Sequence, residues 1–192
     1  KLTDKPLIVV NTHGHPDHIY GNMYFDEARI HPADLELAQS FVAEPEFQKM
    51  LQERHASFPP FRDILPGDVI DLGGRTLEVF ALPGHTPGSV AVLDVSRRVL
   101  ISGDPIQEHG RIFMFGEHRN MNDYIVSLKA LEKRSDEFDE IWPSHADIPV
   151  YPDCIPKLRE GAEKIVNSEV SGNETAFFGQ KIMLYDLGFT VF

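Results

Sequence analysis

Cysteine is nearly absent from this chain. Cys154 stands alone, so no internal disulfide can staple the fold, and no C-x-x-C pair exists to hold zinc or run dithiol chemistry. Basic residues are also scarce, 18 Lys and Arg against 30 Asp and Glu, and the formal charge of -12 repels phosphate backbones and anionic lipid surfaces. Nucleic acid and membrane are therefore not expected partners, and a small molecule is the expected substrate. Long hydrophobic runs are missing too. The longest, over 6–10 and 90–93, fall far short of the ~20 residues that cross a bilayer. A lone thiol and no apolar span make a cytoplasmic location the expectation.

What the chain does have is enough apolar content, 42% of 192 residues, to close one sizeable core, and it shows neither an internal repeat nor a linker. One domain over 1–192 is expected. The run 6–11 reads as a buried strand, and 28–31 as a second; Pro32 then opens a helix over 33–42. Residues 44–63 are charged and aromatic, with Pro45, Pro59 and Pro60, and read as an irregular insertion or lid containing a short helix. Segments 68–72, 76–82, 89–94 and 99–102 are β-rich and separated by turn residues, a meander. Helices are expected over 120–134 and 155–166, and strands over 140–142, 181–184 and 189–192. Consecutive strands with interleaved helices give a layered α/β architecture.

The chemistry concentrates where strands end. His13, His15, Asp17 and His18 place four potential ligands within six residues of a chain holding nine histidines, immediately after the 6–11 run. Crowding of this kind is costly without a cation, and imidazole nitrogen and carboxylate oxygen suit zinc, iron, manganese or cobalt. In an extended stretch, 13, 15 and 17 would point one way and 14, 16 and 18 the other. His85 sits in Pro83-Gly84-His85-Thr86-Pro87-Gly88, where flanking glycines permit a tight turn. Asp104 follows the strand 99–102, and His145 follows 140–142. Alone, Asp104 would be a turn or helix cap and His145 a satisfied loop histidine. Repetition of one arrangement, a short hydrophobic strand followed by a ligand-type side chain, makes coincidence a poor explanation.

His13-Gly14-His15-Pro16-Asp17-His18, followed by Gly84-His85-Thr86-Pro87-Gly88, Gly103-Asp104 and Ser144-His145, resembles the metallo-β-lactamase fold superfamily. The resemblance covers 7 to about 147. It implies a four-layer αββα sandwich with a dinuclear site at one edge of the sheets. Members usually carry several strands ahead of the first histidine motif, so the first sheet is expected to be incomplete here, or completed by another segment or by a second copy in a homodimer. Carried over, His13, His15 and His85 would hold one ion, Asp17, His18 and His145 a second, and Asp104 would bridge them. The expected cofactors are two divalent metal ions, zinc first, with iron or manganese accepted by the same donors. Enzymes similar to the main zinc β-lactamases have cysteine where Asp104 stands, which lowers the weight of antibiotic hydrolysis; the superfamily's nucleases need an inserted domain that is not seen.

The function implied is that of a metal-dependent hydrolase of the hydroxyacylglutathione hydrolase-like branch. A water shared by two cations would ionise near pH 7 and attack a small ester, thioester, lactone or related bond, with Asp17 both ligand and proton acceptor. Two alternatives use the same residues: an iron-dependent oxidoreductase, of persulfide dioxygenase or di-iron type, and a non-catalytic metal-binding protein. His109, His118, Arg111, Arg119 and the apolar stretch 111–116 are candidates to overhang the site, against a plain solvated loop. Phe58 and Phe61 read as packing, His31 as a cap or pocket wall, and Met114 and Met121 as filler.

Overall fold

The computed structural model describes residues 3–114, 116–177 and 179–192. The N-terminal part runs through α1 (Pro16–Ile19), β1 (Ala28–Ile30), α2 (Leu35–Val42), α3 (Pro45–Glu53) and β2 (Phe61–Asp63). Then come β3 (Val69–Asp71), β4 (Thr76–Ala81), β5 (Val90–Asp94), β6 (Val99–Gly103), α4 (Met121–Glu132), β7 (Glu140–Pro143) and α5 (Cys154–Val166). A hairpin, β8 (Asn173–Phe177) and β9 (Gln180–Leu184), follows. The meander read from the sequence is the antiparallel order β3-β4-β5-β6, and β7 joins β6 in parallel after the crossover through α4. All residues of β5 are buried, which fits a central strand covered on both faces.

Alternation along β4 sorts the layers. Phe80 faces α4 and α5 within a cluster that includes Leu93, Leu100, Tyr124, Leu128, Ile141 and Leu158. Leu77 and Val79 point to the opposite face, toward Val10, Ile64, Ile70 and Val90. Beyond that face lies the parallel pair β1-β2, and Ile30 of β1 packs with Ile19 and Ala38 under α2. The order is helices, five-stranded sheet, two-stranded sheet, helices: an αββα sandwich whose first sheet has two short strands among the described residues.

Two local readings, 6–11 and 189–192, differ from expectation. Among the described residues the run 6–11 forms a single bridge, Val10 with Arg29, and Leu7 and Ile8 are exposed: β1 offers the run one short edge and no second strand pairs with it there. Residues 189–192 likewise make bridges rather than a strand. The segment 44–63 holds the expected short helix, α3, started by Pro45 with Phe47 and Leu51 buried, and its Phe61 pairs with Ala28. Phe58 packs against Phe47 and Phe61.

Candidate metal centre

One edge of the large sheet collects the side chains. β4 ends and β5 begins at that edge, so the connecting turn carries His85; β6 and β7, being parallel, both end there and deliver Asp104 and His145. A bond from Ser144 N–H to the Gly103 carbonyl (3.2 Å) holds the last two loops side by side. The first motif is fastened to the same edge by Val90 N–H donating to the Thr12 carbonyl at 2.8 Å.

Within that motif the expected alternation holds only as far as His15. Pro16 is the first residue of α1, with its ring pre-set for a helix start, and His18 and Ile19 donate to the His15 carbonyl. Asp17 is therefore turned away from His13 and His15 and joins His18. The structure brings together all seven residues proposed from sequence, as two groups whose donor atoms lie within 4.8 Å of one another: His13, His15, His85 and Asp104, all buried, and Asp17, His18 and His145.

Asp104 stands between the groups. Its Oδ2 lies 3.9 Å from His13 Nε2 and 3.4 Å from His85 Nε2, while its Oδ1 lies 3.1 Å from His18 Nε2 and 3.5 Å from His145 Nε2. Asp17 Oδ2 is 3.0 Å from His145 Nε2 and 3.4 Å from His18 Nε2. His15 presents Nδ1 to His85 Nε2 at 3.0 Å.

The fit to cations rests on orphaned atoms. His13 Nε2, His18 Nε2 and Asp104 Oδ1 are buried and have no hydrogen-bond partner, the 3.1 Å approach of the last two lacking the alignment of a bond. Buried polar atoms of a native protein are nearly always satisfied, so three converging orphans with nitrogen and oxygen donors suit a metal ion. Electrostatics agree. Burial, reinforced by neighbouring histidines, holds His13 well below the usual imidazole range and His15 at about 3, leaving both neutral donors. Burial would raise Asp104, but the close approach of His18, His85 and His13 together holds it far below the carboxylate range. His18 goes the other way: burial would lower it, but Asp104 and Asp17 together push it up to about 9.

Behind the donors lies a second set. His85 Nδ1 contacts the Phe113 carbonyl at 2.8 Å, and Arg119 reaches His15 Nε2 at 3.1 Å and His118 Nε2 at 2.8 Å. Asp34, fully buried, accepts from Gly14 N–H (2.8 Å), Gly88 N–H (2.6 Å) and the Thr86 hydroxyl (2.6 Å), joining the first and second histidine motifs. Sequence reading passed over Asp34 as part of a helix start. Of the overhanging candidates, His118, Arg119 and Phe113 line the cleft, about 510 Å³ in volume, together with Phe41, Phe177 and Gln180. Arg111 lines a different cavity, and His109 is exposed, its backbone N–H committed to Phe189; their loop is drawn toward the C-terminal residues instead. Phe115 lies outside the described residues. His31 caps the turn before α2 through Nδ1.

Residues 3–145 match the sequence pattern of the metallo-beta-lactamase superfamily. The chain belongs to that superfamily. It is 31% identical over 158 residues to acyl-coenzyme A thioesterase MBLAC2 of Gallus gallus, covering 73% of this chain and 57% of the relative. It is 31% identical over 132 residues to hydroxyacylglutathione hydrolase of Hyphomonas neptunium, covering 65% and 44%. The chain thus spans about half the length of the curated relatives it matches. Among solved structures, TTHA1623 in a di-iron-bound form superposes with a TM-score of 0.59 at 24% identity, over 80% of this chain and 76% of that one. This superfamily fold is the sandwich described above. Among the described residues no helix is long and apolar enough to cross a membrane.

Proposed function

We propose that this member of the superfamily is a metal-dependent hydrolase of acyl thioesters or closely related esters, working with two divalent ions, zinc first. The observation that carries the reading is the Asp104 carboxylate, whose two oxygens face two separate donor groups. His13, His15 and His85 would hold one ion and Asp17, His18 and His145 the other, with Asp104 shared. Ions bound there supply Lewis acidity, which acidifies water and polarises an acyl carbonyl.

In the overall reaction, water adds its oxygen to the acyl carbon, the carbon–sulfur bond breaks, and the thiol leaves with a proton. Asp17 is held below the usual carboxylate range chiefly by the neighbouring His18 imidazole, and as an exposed carboxylate at the cleft it would take a proton from the attacking water. Arg119 holds the ring of His15 and gives the cleft wall a cationic group. Phe41, Phe113 and Phe177 give the cleft apolar walls that limit access of bulk water. Support for a thioester over other acyl bonds comes from the relative named as a thioesterase.

Elemental analysis of the purified protein combined with an acyl-thioester panel tests this. Close to two zinc ions per chain with turnover, and loss of both metal and turnover in Asp104→Ala, is the expected result. Iron without hydrolysis would move the same residues to oxidative chemistry, a reading favoured by the di-iron form of TTHA1623. A metal-free protein that neither binds added zinc nor hydrolyses any acyl substrate would overturn both.

A further inference from the structure

A second cavity, about 170 Å³, lies against the metal cleft and shares Phe113 and Phe177 with it. The two rings stack at a centroid distance of 5.0 Å and form the partition. On the far side Ile112, Met114, Met121, Ile182 and Phe192 give a largely apolar wall, with Arg111, Thr175 and Tyr185 also lining it.

The β8-β9 hairpin borders both spaces. Its register pairs Phe177 with Gln180, Thr175 with Ile182 and Asn173 with Leu184, so residues at every second position share one face. At the tip of that face Phe177 and Gln180 border the metal cleft, and two residues further down Thr175 and Ile182 border the cavity. At ~3.3 Å per residue, the step between them is roughly 7 Å. The cavity therefore begins about one such step from the cleft, behind the Phe113–Phe177 pair.

We propose that this cavity is the acyl-chain subsite of the hydrolase, taking a straight saturated chain of about six carbons, since a dry cavity of about 150 Å³ holds benzene. The inference rests on the acyl-hydrolase reading above and adds the chemical class of the acyl group. The hairpin and the C-terminal Phe192 lie outside the 3–145 span that matches the family, so this wall is a feature of the chain's own C-terminal part. Hydrolysis places the carbonyl carbon at the donor groups, and the chain passes the Phe113–Phe177 pair into the cavity.

The test uses metal-loaded protein and S-acyl N-acetylcysteamine thioesters from acetyl to decanoyl, with the non-hydrolysable S-ethyl and S-hexyl thioethers as binding probes. Burial of each methylene predicts about a fourfold gain in kcat/KM up to about six carbons, then a plateau or fall. Ile182→Trp fills the cavity and is expected to flatten that dependence; Thr175→Phe is the second filling variant. By calorimetry S-hexyl binds more tightly than S-ethyl, and the difference disappears in either variant. Turnover with no dependence on chain length, or a dependence that survives both variants, overturns the subsite and leaves the hydrolase reading standing. Chain-length-dependent binding abolished by the variants, with no turnover of any thioester, keeps the subsite and overturns the hydrolase reading.

Discussion

Asp34 accepts the hydroxyl of Thr86 at 2.6 Å across 52 positions of sequence, and that bond ties the loop of His85 to the loop of His13 and His15. The same carboxylate holds the backbone N–H groups of Gly14 and Gly88, so one buried side chain fixes the separation of two ligand loops. Replacement by alanine strands three donors. Asp34→Ala is expected to destabilise the fold by about 4 kcal/mol or more and to weaken metal affinity roughly 10- to 100-fold. Thermal unfolding and a competitive zinc titration check the two effects separately, and unchanged affinity in a folded variant would refute the positioning role.

His18 makes metal uptake pH-dependent. Its pKa of about 9 leaves it protonated at pH 7, whereas Asp17 and Asp104 are ionised and His13 and His15 are neutral. A cation taken up at the second group would displace the His18 proton, about one per chain. Calorimetry in two buffers of different ionisation enthalpy measures the release, and His18→Gln should reduce it by about one.

The same group sets a stability slope in chelator-treated protein. A folded pKa raised above the unfolded value contributes stability that is complete below about 6.5 and is lost as pH rises through about 9. Asp104, lowered, acts oppositely: its contribution is present above about 4 and is lost as pH falls. Tm measured against pH should decline on the alkaline side between these limits, and that alkaline slope should be absent in His18→Gln.

Gly84 is held at φ +136°, and a Cβ there would meet Tyr124 Cα at 2.6 Å and its nitrogen at 2.7 Å. Backbone cannot yield as a flexible side chain would. Gly84→Ala should cost about 3 kcal/mol or more. For a chain of this size that is roughly 6–12 °C in Tm. A normal melting curve would show that α4 can move aside.

Cys154 is fully buried, and burial pushes its thiol up to about 12, with Glu108 and Asp153 adding to it. Iodoacetamide at pH 8 should leave the native protein unlabelled and modify it once urea unfolds it, as mass spectrometry would record.

The candidate donors could be read from the sequence because they lie in short motifs of unusual residue type, His85, Asp104 and His145 just beyond or between strands, and the structure gathers them at one sheet edge. Strands 76–81, 90–94 and 99–103 were equally legible, since they are short apolar runs bounded by turns. Asp34 was not: an acidic residue beginning a helix looks like any other, and its meaning lies in partners 20 to 54 positions away. β8 was invisible because Asn173 to Ala176 are exposed and carry no alternating pattern. The turn of Asp17 away from His15 was present in Pro16, but assuming an extended chain concealed it.

Helix α4 touches two of the ligand loops at once through one residue. The Tyr124 hydroxyl donates to the Pro105 carbonyl at 2.6 Å, next to Asp104, while its backbone closes over Gly84, next to His85. Tyr124 is also buried in the main core with Leu128 and Ile141. Fraying of a surface loop therefore cannot release these two donors independently; they come apart only when the packed helix lifts from the sheet. Amide exchange of the His85 and Asp104 loops should accordingly follow the slowest, most protected class of the molecule, an uncommon kinetic behaviour for loops.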